Sequence, residues 1–312
     1  MVDWHDPLVI QENYASGAIL IYVTGGIFLW EWVTNLYLDW SLFSAIMVRW
    51  KWPTLLYLLT RLSTLITVIC LFISINVKRE LDCNASIHVI LGFGYFAMAL
   101  SSCLIAFRIA GIWNRRPSIV IFVTVAVFVN TAFFIYALIT NGGSVWVPEA
   151  KACIELHTVR NRLNTIVAFA TDVLMLIVML VGIWVKRASG GLYRLVYRQG
   201  IIWFLVAIIF YVPLVVLVTL NLNDAMNVLF QMPVCIAMTL CATRMHRGLY
   251  EYANTTHVVA EISESTQFNS ISYPVDAPSN LTTENTTPAV PIVHAAENDK
   301  LTNIGSTICS EV

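Results

Sequence analysis

The sequence predicts an all-α polytopic membrane protein, a seven-transmembrane-helix bundle followed by a disordered C-terminal tail. Seven apolar stretches, each about the length of a bilayer-spanning helix, are separated by short loops. At 1.5 Å per residue, roughly 20 apolar residues cross a hydrocarbon core of about 30 Å. The composition agrees, because a chain with 58% hydrophobic and 12% charged residues lacks the polar surface that a soluble protein of this length needs.

The chain divides into a short outer tail at residues 1–14, the bundle at 15–243 and a cytoplasmic tail at 244–312. The predicted spans are 15–38, 53–77, 87–107, 118–140, 165–185, 200–220 and 225–242. The acidic N-terminus has no basic region leading into a cleavage site, so we expect the first span to act as an uncleaved signal anchor. The C-terminal tail is rich in Ser, Thr, Asn and Pro with few aromatic residues, which predicts disorder.

Orientation follows from the Lys and Arg residues of the loops. With the N-terminus outside, eleven of them face the cytosol: Arg49, Lys51, Arg108, Arg115, Arg116, Lys186, Arg187, Arg194, Arg198, Arg244 and Arg247. Five face outward: Lys78, Arg79, Lys151, Arg160 and Arg162. The excess predicts an extracytoplasmic N-terminus and a cytoplasmic C-terminus, in the plasma membrane or an endomembrane.

Two cysteines, Cys83 and Cys153, fall in the predicted outer loops, where an oxidising compartment permits a disulfide. They form that bond or remain two unpaired thiols. Asn84 begins a glycosylation sequon in the same outer region. Three further sequons, at Asn254, Asn280 and Asn285, lie in the predicted cytosolic tail and are interpreted as chance matches.

Ionisable residues within a spanning helix are functional hypotheses by default. Glu31 lies roughly 10 Å, and Arg61 roughly 12 Å, from the cytoplasmic ends of two consecutive spans. Their equal depth predicts an ion pair, which acts either as a structural clamp or as half of a switch.

Asp172 lies in the fifth span with no Lys or Arg expected at its depth. If it faces an outward cavity, it is a candidate site for a ligand or a proton, with His88 as the neighbour within reach. The alternative is a protonated or water-bound aspartate near the interface.

Several chemistries lack their signatures. The seventh span has no lysine for a retinal Schiff base, and the sequence has no His-Glu-x-x-His motif, haem-ligating histidine pair or phosphate-binding glycine loop. We therefore expect no enzyme activity, cofactor, metal site or nucleic-acid partner. The expected partners are the lipid bilayer and a small-molecule or lipid-like ligand, with the cytoplasmic partner unidentified.

The motif order from Trp30-Glu31-Trp32 through Arg49-Trp50-Lys51-Trp52-Pro53 to Arg61 resembles the opening of a large group of seven-helix membrane proteins of basidiomycete fungi. That group includes proteins with the DUF6533 domain and has no established activity. Trp113-Asn114-Arg115, Cys153 and 195–200 (Leu-Val-Tyr-Arg-Gln-Gly) extend the resemblance over most of residues 15–247. The group often has an acid where this chain has Gln199, so a cytoplasmic lock between that acid and Arg198 is not expected here. The resemblance implies a fold and a fungal membrane setting, without a reaction.

Three functions remain open. A receptor-like protein fits the outer N-terminus, the basic inner loops and the Ser/Thr-rich tail, although Arg108 has no acid before it and the seventh span has no Asn-Pro-x-x-Tyr run. A transporter or channel requires a continuous polar path and often shows repeat symmetry, which this sequence lacks. A structural membrane protein requires neither.

Overall fold

The computed structural model describes residues 7–48, 52–77, 82–140, 143–147, 152–155, 162–185, 191–221 and 224–248. The chain divides between Arg247 and Gly248, and the first unit is Met1–Arg247. The described residues belong to the first unit, apart from Gly248. The predicted disorder of the tail and its three sequons lie outside the described residues.

The described elements are α1 (Pro7–Thr34), α2 (Leu36–Val48), α3 (Trp52–Asn76), α4 (Cys83–Ile112), α5 (Pro117–Thr140), β1 (Ser144–Val147), β2 (Ala152–Glu155), α6 (Arg162–Val185), α7 (Gly191–Leu220), α8 (Asp224–Leu229) and α9 (231–248). The two strands form one antiparallel hairpin in which Val145 pairs with Ile154 and Trp146 with Cys153. The hairpin packs on α4. Helices account for almost all of the described chain, in agreement with the predicted class.

Six helices are long and apolar enough to cross a membrane, as judged over the described residues. They are Gln11–Thr34, Trp52–Asn76, Cys83–Ile112, Pro117–Thr140, Arg162–Val185 and Met226–Gly248. Large apolar side chains cover their outer faces; Phe128 is 71% and Ile139 76% exposed on α5. An apolar outer surface of this kind fits a lipid solvent, so the chain is an integral membrane protein.

Two boundaries differ from the sequence prediction. Helix α1 begins at Pro7, so half of the predicted outer tail is helical. Helix α9 continues to residue 248, whereas the sequence prediction ended the last span at 242 and placed Arg244 and Arg247 in the cytoplasmic tail. The physical reason is that the last turn of α9 is tied to α1 by charge, as described below.

Local signals explain where α4 begins and ends. Asp82 caps its first turn, with the carboxylate accepting a hydrogen bond from the Ala85 N–H at 3.2 Å. At the other end Asn114 and Arg115 adopt left-handed backbone conformations, with φ of 51° and 53°. The Arg115 N–H bonds back to the Ala110 carbonyl at 2.9 Å. This reversal frees Pro117 to start α5, at a helix position that requires no N–H donor.

Helices α4 and α9 form the centre of the bundle. In the apolar segments, 61% of α4 and 67% of α8–α9 is buried, against 17% of α5. Helix α4 contacts α3, α5 and α6. Any polar group on the inward faces of α4 and α9 is therefore shielded from both lipid and water.

Glycines permit two close helix contacts. A Cβ on Gly182 of α6 would lie 2.6 Å from the indole nitrogen of Trp113, and a Cβ on Gly25 of α1 would lie 2.8 Å from the ring of Phe72. The Trp113 indole N–H donates to the Val178 carbonyl at 3.2 Å. The end of α4 thus rests directly on the backbone of α6.

Candidate functional site

Two polar clusters lie inside the bundle. The charged cluster comprises Glu31, Asp39, Tyr57, Arg61, Arg244 and Arg247. The aspartate cluster comprises Ser102, Asn130, Asp172 and Tyr211. Burying a polar group without a partner costs free energy. The hydrogen-bond and charge partners within each cluster therefore determine how much the cluster stabilises the bundle.

Asp39, Tyr57 and Arg61 form one half of the charged cluster. The Arg61 Nε lies 3.1 Å from the Asp39 carboxylate, and the Tyr57 hydroxyl donates to the same carboxylate at 2.7 Å. Arg61 Nη1 donates to the Tyr57 hydroxyl at 3.0 Å. Burial raises the pKa of the Asp39 carboxyl, while the Tyr57 hydrogen bond and the Arg61 charge oppose that rise. The guanidinium and the hydroxyl therefore favour the ionised carboxylate.

Glu31, Arg244 and Arg247 form the other half. The Glu31 carboxylate receives Arg247 Nη2 and lies 3.3 Å from Arg244 Nε. Glu31 and Arg247 are buried, whereas half of the Arg244 side chain is exposed. His246, between the two arginines in sequence, stacks on Tyr57 with ring centroids 5.2 Å apart. The last turn of α9 is thereby fixed to α1 and α3.

A break after α1 brings Asp39 into the cluster. The Asn35 side chain donates to the Glu31 carbonyl at 2.7 Å, and the Thr34 hydroxyl donates to the Trp30 carbonyl at 3.0 Å. These bonds satisfy carbonyls that the end of a helix leaves without partners. The chain then resumes as α2, whose first turn carries Asp39.

The predicted ion pair between Glu31 and Arg61 is corrected by this geometry. The two residues do lie at one depth, since Arg61 Nη2 is 3.5 Å from the Glu31 carbonyl and 3.3 Å from that of Trp32. The side chains of Glu31 and Arg61 nevertheless contact other residues. Equal depth fixes only the position along the helix axis, and the carboxylate of Glu31 is directed to α9 while Asp39 occupies the space beside Arg61.

The aspartate cluster joins four helices. The Asp172 carboxylate of α6 accepts hydrogen bonds from the Ser102 hydroxyl of α4 at 2.9 Å and from the Tyr211 hydroxyl of α7 at 2.6 Å. The Asn130 amide of α5 donates to the Ser102 oxygen at 3.3 Å. All four side chains are at most 1% exposed. No Lys or Arg contacts Asp172 among the described residues, so its partners there are neutral.

The outward cavity and the His88 neighbour predicted for Asp172 are corrected as well. Asp172 is 1% exposed, because four helices close around it. Ser102, which touches Asp172, follows His88 by fourteen residues on α4, or roughly 21 Å of helix. His88 is therefore too far along the axis to reach the carboxylate.

Weaker contacts connect the central helices between these clusters. The Thr64 and Thr239 hydroxyls of α3 and α9 are 3.1 Å apart. Gln231 donates to the Tyr95 hydroxyl at 3.0 Å, and the Cys235 thiol lies 3.6 Å from the Gly94 carbonyl. Helix α9 therefore contacts both α3, which belongs to the charged cluster, and α4, which belongs to the aspartate cluster.

The predicted disulfide between Cys83 and Cys153 is present, with a Cα–Cα distance of 5.5 Å. It joins the first residue of α4 to β2 and so fixes the hairpin over the α4 N-terminus. The neighbouring Asn84 is exposed, as glycosylation requires. Modification of Asn84 stays a prediction.

Sequence reasoning missed Asp39, Tyr57, Arg247 and Tyr211. Asp39 fell between two predicted spans and Arg247 fell in the predicted cytoplasmic tail. A tyrosine in a spanning helix gives no signal of its partner. The available signal was the pair Thr34-Asn35, since such residues favour helix ends and allow a second helix to carry an acid back to the bundle.

No protein-family model matches this chain, and no curated protein has significant sequence similarity to it. No group of three or more His, Cys, Asp or Glu side chains suitable for a metal ion lies within the described ranges. The functional argument therefore rests on the two clusters.

Proposed function

We propose that this chain is a receptor-like seven-helix membrane protein that binds a small or lipid-like ligand between its helices. The observation that carries the proposal is the division of the helices between two buried clusters. The aspartate cluster holds α4, α5, α6 and α7, and the charged cluster holds α1, α2, α3 and α9. Because α9 contacts helices of both groups, a ligand that displaces one group changes the contacts that α9 makes with the two groups.

The seventh span of this proposal is α7. It has 30 residues, or about 45 Å at 1.5 Å per residue, and its segment Leu205–Leu220 is apolar. It also donates the Tyr211 hydroxyl to the aspartate cluster. Adding α7 to the six apolar helices gives an odd number of spans, which puts the two termini on opposite sides of the membrane.

The proposed orientation is N-terminus outside and C-terminus cytoplasmic. The positive-charge bias supports it. The disulfide and Asn84 lie at the α4 N-terminus, opposite to the end that carries the charged cluster, and disulfides persist in oxidising compartments. Membership of the basidiomycete seven-helix group is proposed with it, on the motif order from Trp30 to Arg61 and the residues that follow.

Charge balance makes the charged cluster suitable as a two-state element. Glu31 accepts from two arginines on one turn of α9, and only one of them, Arg247, is buried. Half of the Arg244 side chain is exposed, so its guanidinium can move from Glu31 into water, whereas Arg247 cannot move without uncovering a buried charge. In the proposed mechanism, ligand binding near Asp172 shifts α6 and α7, loosens α9 through α4, and exposes its last turn to the cytosol.

A ligand screen on protein in lipid nanodiscs tests the proposal. Small molecules and sterols are screened by thermal shift against wild type, Asp172→Asn and the control Thr171→Val, whose hydroxyl bonds only within its own helix, to Val167 and Ala168. The expected ligand stabilises wild type and the control but not Asp172→Asn. It also increases hydrogen exchange at residues 244–248.

Two results contradict the proposal. A ligand that stabilises all three proteins equally does not bind near Asp172. A ligand that binds there without changing exchange at the end of α9 is not coupled to the charged cluster. Solute or ion flux in liposomes that Asp172→Asn abolishes would favour the transporter alternative.

The orientation is tested separately by endoglycosidase treatment. Sugar on Asn84 alone supports the outer placement of the α4 N-terminus, and its loss in Asn84→Gln is the control. Sugar on Asn280 or Asn285 overturns the orientation.

A further inference from the structure

Helix α2 lies outside the six membrane-crossing helices, and the helices on either side of it determine where it lies. Helix α1 ends at Thr34 and α3 begins at Trp52, and both belong to the six. Two consecutive spans are joined on one side of the membrane, so α2 stays on that side. It has 13 residues, or a length of roughly 20 Å, which is too short to cross the hydrocarbon core.

Contacts with α3 fix the depth of α2. Asp39, in the first turn of α2, bonds to Tyr57 and Arg61. Tyr57 lies five residues beyond the start of the apolar helix α3 at Trp52, or roughly 7.5 Å along its axis. The first turn of α2 therefore lies near the edge of the hydrocarbon core. Helices that lie on a membrane bury their apolar face to a similar depth, about 5–10 Å into the boundary between headgroups and acyl chains.

The faces of α2 differ in burial. Asp39 and Leu42, three residues apart, are buried, with exposures of 8% and 2%. Leu36, Trp40 and Phe43 recur at spacings of four and three residues and so share a second face. That face is open, since Trp40 is 70% and Phe43 48% exposed. Their rings lie 6.2 Å apart and form one aromatic surface.

The exposed surface of α2 changes from apolar to hydroxyl-bearing around the helix. With 3.6 residues per turn, Ser41, Ser44 and Tyr37 lie side by side next to the aromatic surface, and all three are exposed. Helix α2 contains no Lys, Arg or Glu, and its one charged residue, Asp39, is held by α3. A helix face in water carries charged and polar residues, whereas Trp and Tyr are enriched where membrane meets water. We call this exposed surface the outer face of α2: Leu36, Tyr37, Trp40, Ser41, Phe43 and Ser44.

We propose that the outer face of α2 docks into the boundary between headgroups and acyl chains, in the leaflet at the end of the bundle that carries the charged cluster. Trp40 and Phe43 contact the upper part of the acyl chains, and Ser41 faces the headgroups. The partner is a phospholipid surface of any headgroup charge, because the outer face carries no cation. Docking holds α2 at the depth at which Asp39 meets Arg61. The inference is independent of the proposed ligand site and of the number of spans.

Photo-crosslinking in phosphatidylcholine nanodiscs tests the docking. The photoreactive residue p-benzoylphenylalanine replaces Trp40, Ser41 or Phe128, one at a time, and mass spectrometry locates the lipid carbon to which each adds. Phe128, 71% exposed on the spanning helix α5, is the control for the hydrocarbon core. We expect adducts near the ends of the acyl chains from position 128, on the upper acyl carbons from position 40, and on the headgroup or glycerol from position 41. Adding phosphatidylserine is expected to leave the yield at position 40 unchanged.

Hydrogen exchange supplies a second readout that needs no probe. Trp40→Ser removes the largest apolar side chain of the outer face, whereas Trp40→Tyr keeps an aromatic ring with a polar tip. We expect Trp40→Ser to speed exchange at residues 36–44 roughly tenfold, the order expected when burial of one large apolar side chain no longer opposes local opening. Trp40→Tyr is expected to exchange as wild type does.

Each of five results overturns the inference. Lipid adducts from position 128 but none from position 40 place the outer face in water. Adducts from both positions on the same acyl carbons place α2 within the hydrocarbon core. Crosslinks from position 40 to a second copy of the chain make the outer face an interface between copies. Adducts that require phosphatidylserine show recognition of an anionic headgroup. Equal exchange in Trp40→Ser and Trp40→Tyr shows that the membrane does not hold α2 through Trp40.

Discussion

The charged cluster and the aspartate cluster bury carboxylates in opposite ways. In the charged cluster, Glu31 and Asp39 face three guanidinium groups, and one of these, Arg244, reaches solvent. In the aspartate cluster, Asp172 accepts hydrogen bonds from hydroxyl groups alone among the described residues, and four helices enclose it.

The two clusters differ in how much stability the protein loses when one partner is removed. Removing one partner from an ionic cluster leaves a buried charge without compensation, which lowers the free energy of unfolding by about 3–5 kcal/mol. Removing one partner from a hydrogen-bonded cluster lowers it by about the value of one hydrogen bond. The charged cluster therefore determines whether α9 docks, and the aspartate cluster determines how four helices are aligned.

The largest expected effect comes from breaking the Asp39–Arg61 pair. Arg61→Met and Asp39→Asn are each expected to cost about 3–5 kcal/mol, because each leaves a buried charge without its partner, while the double mutant costs less than the sum. Thermal unfolding in nanodiscs measures the cycle.

A second cycle, Glu31→Gln with Arg61→Met, is the matched control. It is expected to show weaker coupling than the Asp39–Arg61 cycle, since the two side chains have different partners, although both belong to the charged cluster. Strong coupling in the control cycle, with none between Asp39 and Arg61, would reverse the assignment of partners.

A smaller effect is expected from the aspartate cluster. Tyr211→Phe removes one of the two hydroxyl donors to Asp172 and is expected to cost about 1.5–3 kcal/mol, the range for a hydrogen bond to a charged group. The two hydroxyls bond to different carboxylate oxygens, and an amide has one oxygen acceptor and an NH2 that only donates. Asp172→Asn therefore keeps an acceptor for only one of them and is expected to cost at least as much as Tyr211→Phe. A smaller loss for Asp172→Asn than for Tyr211→Phe, measured by the same thermal unfolding, would contradict this account.

Packing between α4 and α6 supports the aspartate cluster, and Gly182→Ala tests it. The added methyl group meets the Trp113 indole at 2.6 Å, so α4 and α6 must separate at a cost of about 1–3 kcal/mol. Gly111→Ala is the control, because a Cβ there meets no atom within 4 Å. Equal melting temperatures for the two variants would mean that the indole moves aside freely.

The sequence predicts the helices better than it predicts their contacts. Span length and hydropathy are local properties, so 53–77 and 118–140 agree closely with α3 and α5. The Cys83–Cys153 disulfide could also be predicted from the sequence, because only those two cysteines fall in the predicted outer loops. Depth likewise placed Glu31 beside Arg61.

The partners of the buried side chains cannot be predicted from one sequence, because they depend on how the helices pack against one another. Whether Arg61 faces Glu31 or Asp39 depends on the rotation of α1 and on the break at Asn35. The burial of Asp172 depends on how closely α7 approaches α6. Both are properties of the packed bundle, and neither follows from the length or polarity of a single segment.

The smallest expected effect tests the link between the two clusters. Thr64 and Thr239 join α3 to α9 through hydroxyl groups 3.1 Å apart, and interhelical hydrogen bonds in membranes average about 0.6 kcal/mol. A cycle of Thr64→Val and Thr239→Val is expected to show coupling of about that size. Thr131→Val, whose hydroxyl bonds only within its own helix, is expected to show no coupling with either. If Thr64 and Thr239 are also uncoupled, α9 is held to α3 by the charged cluster alone, and movement of α9 would then require only that Glu31 release its arginines.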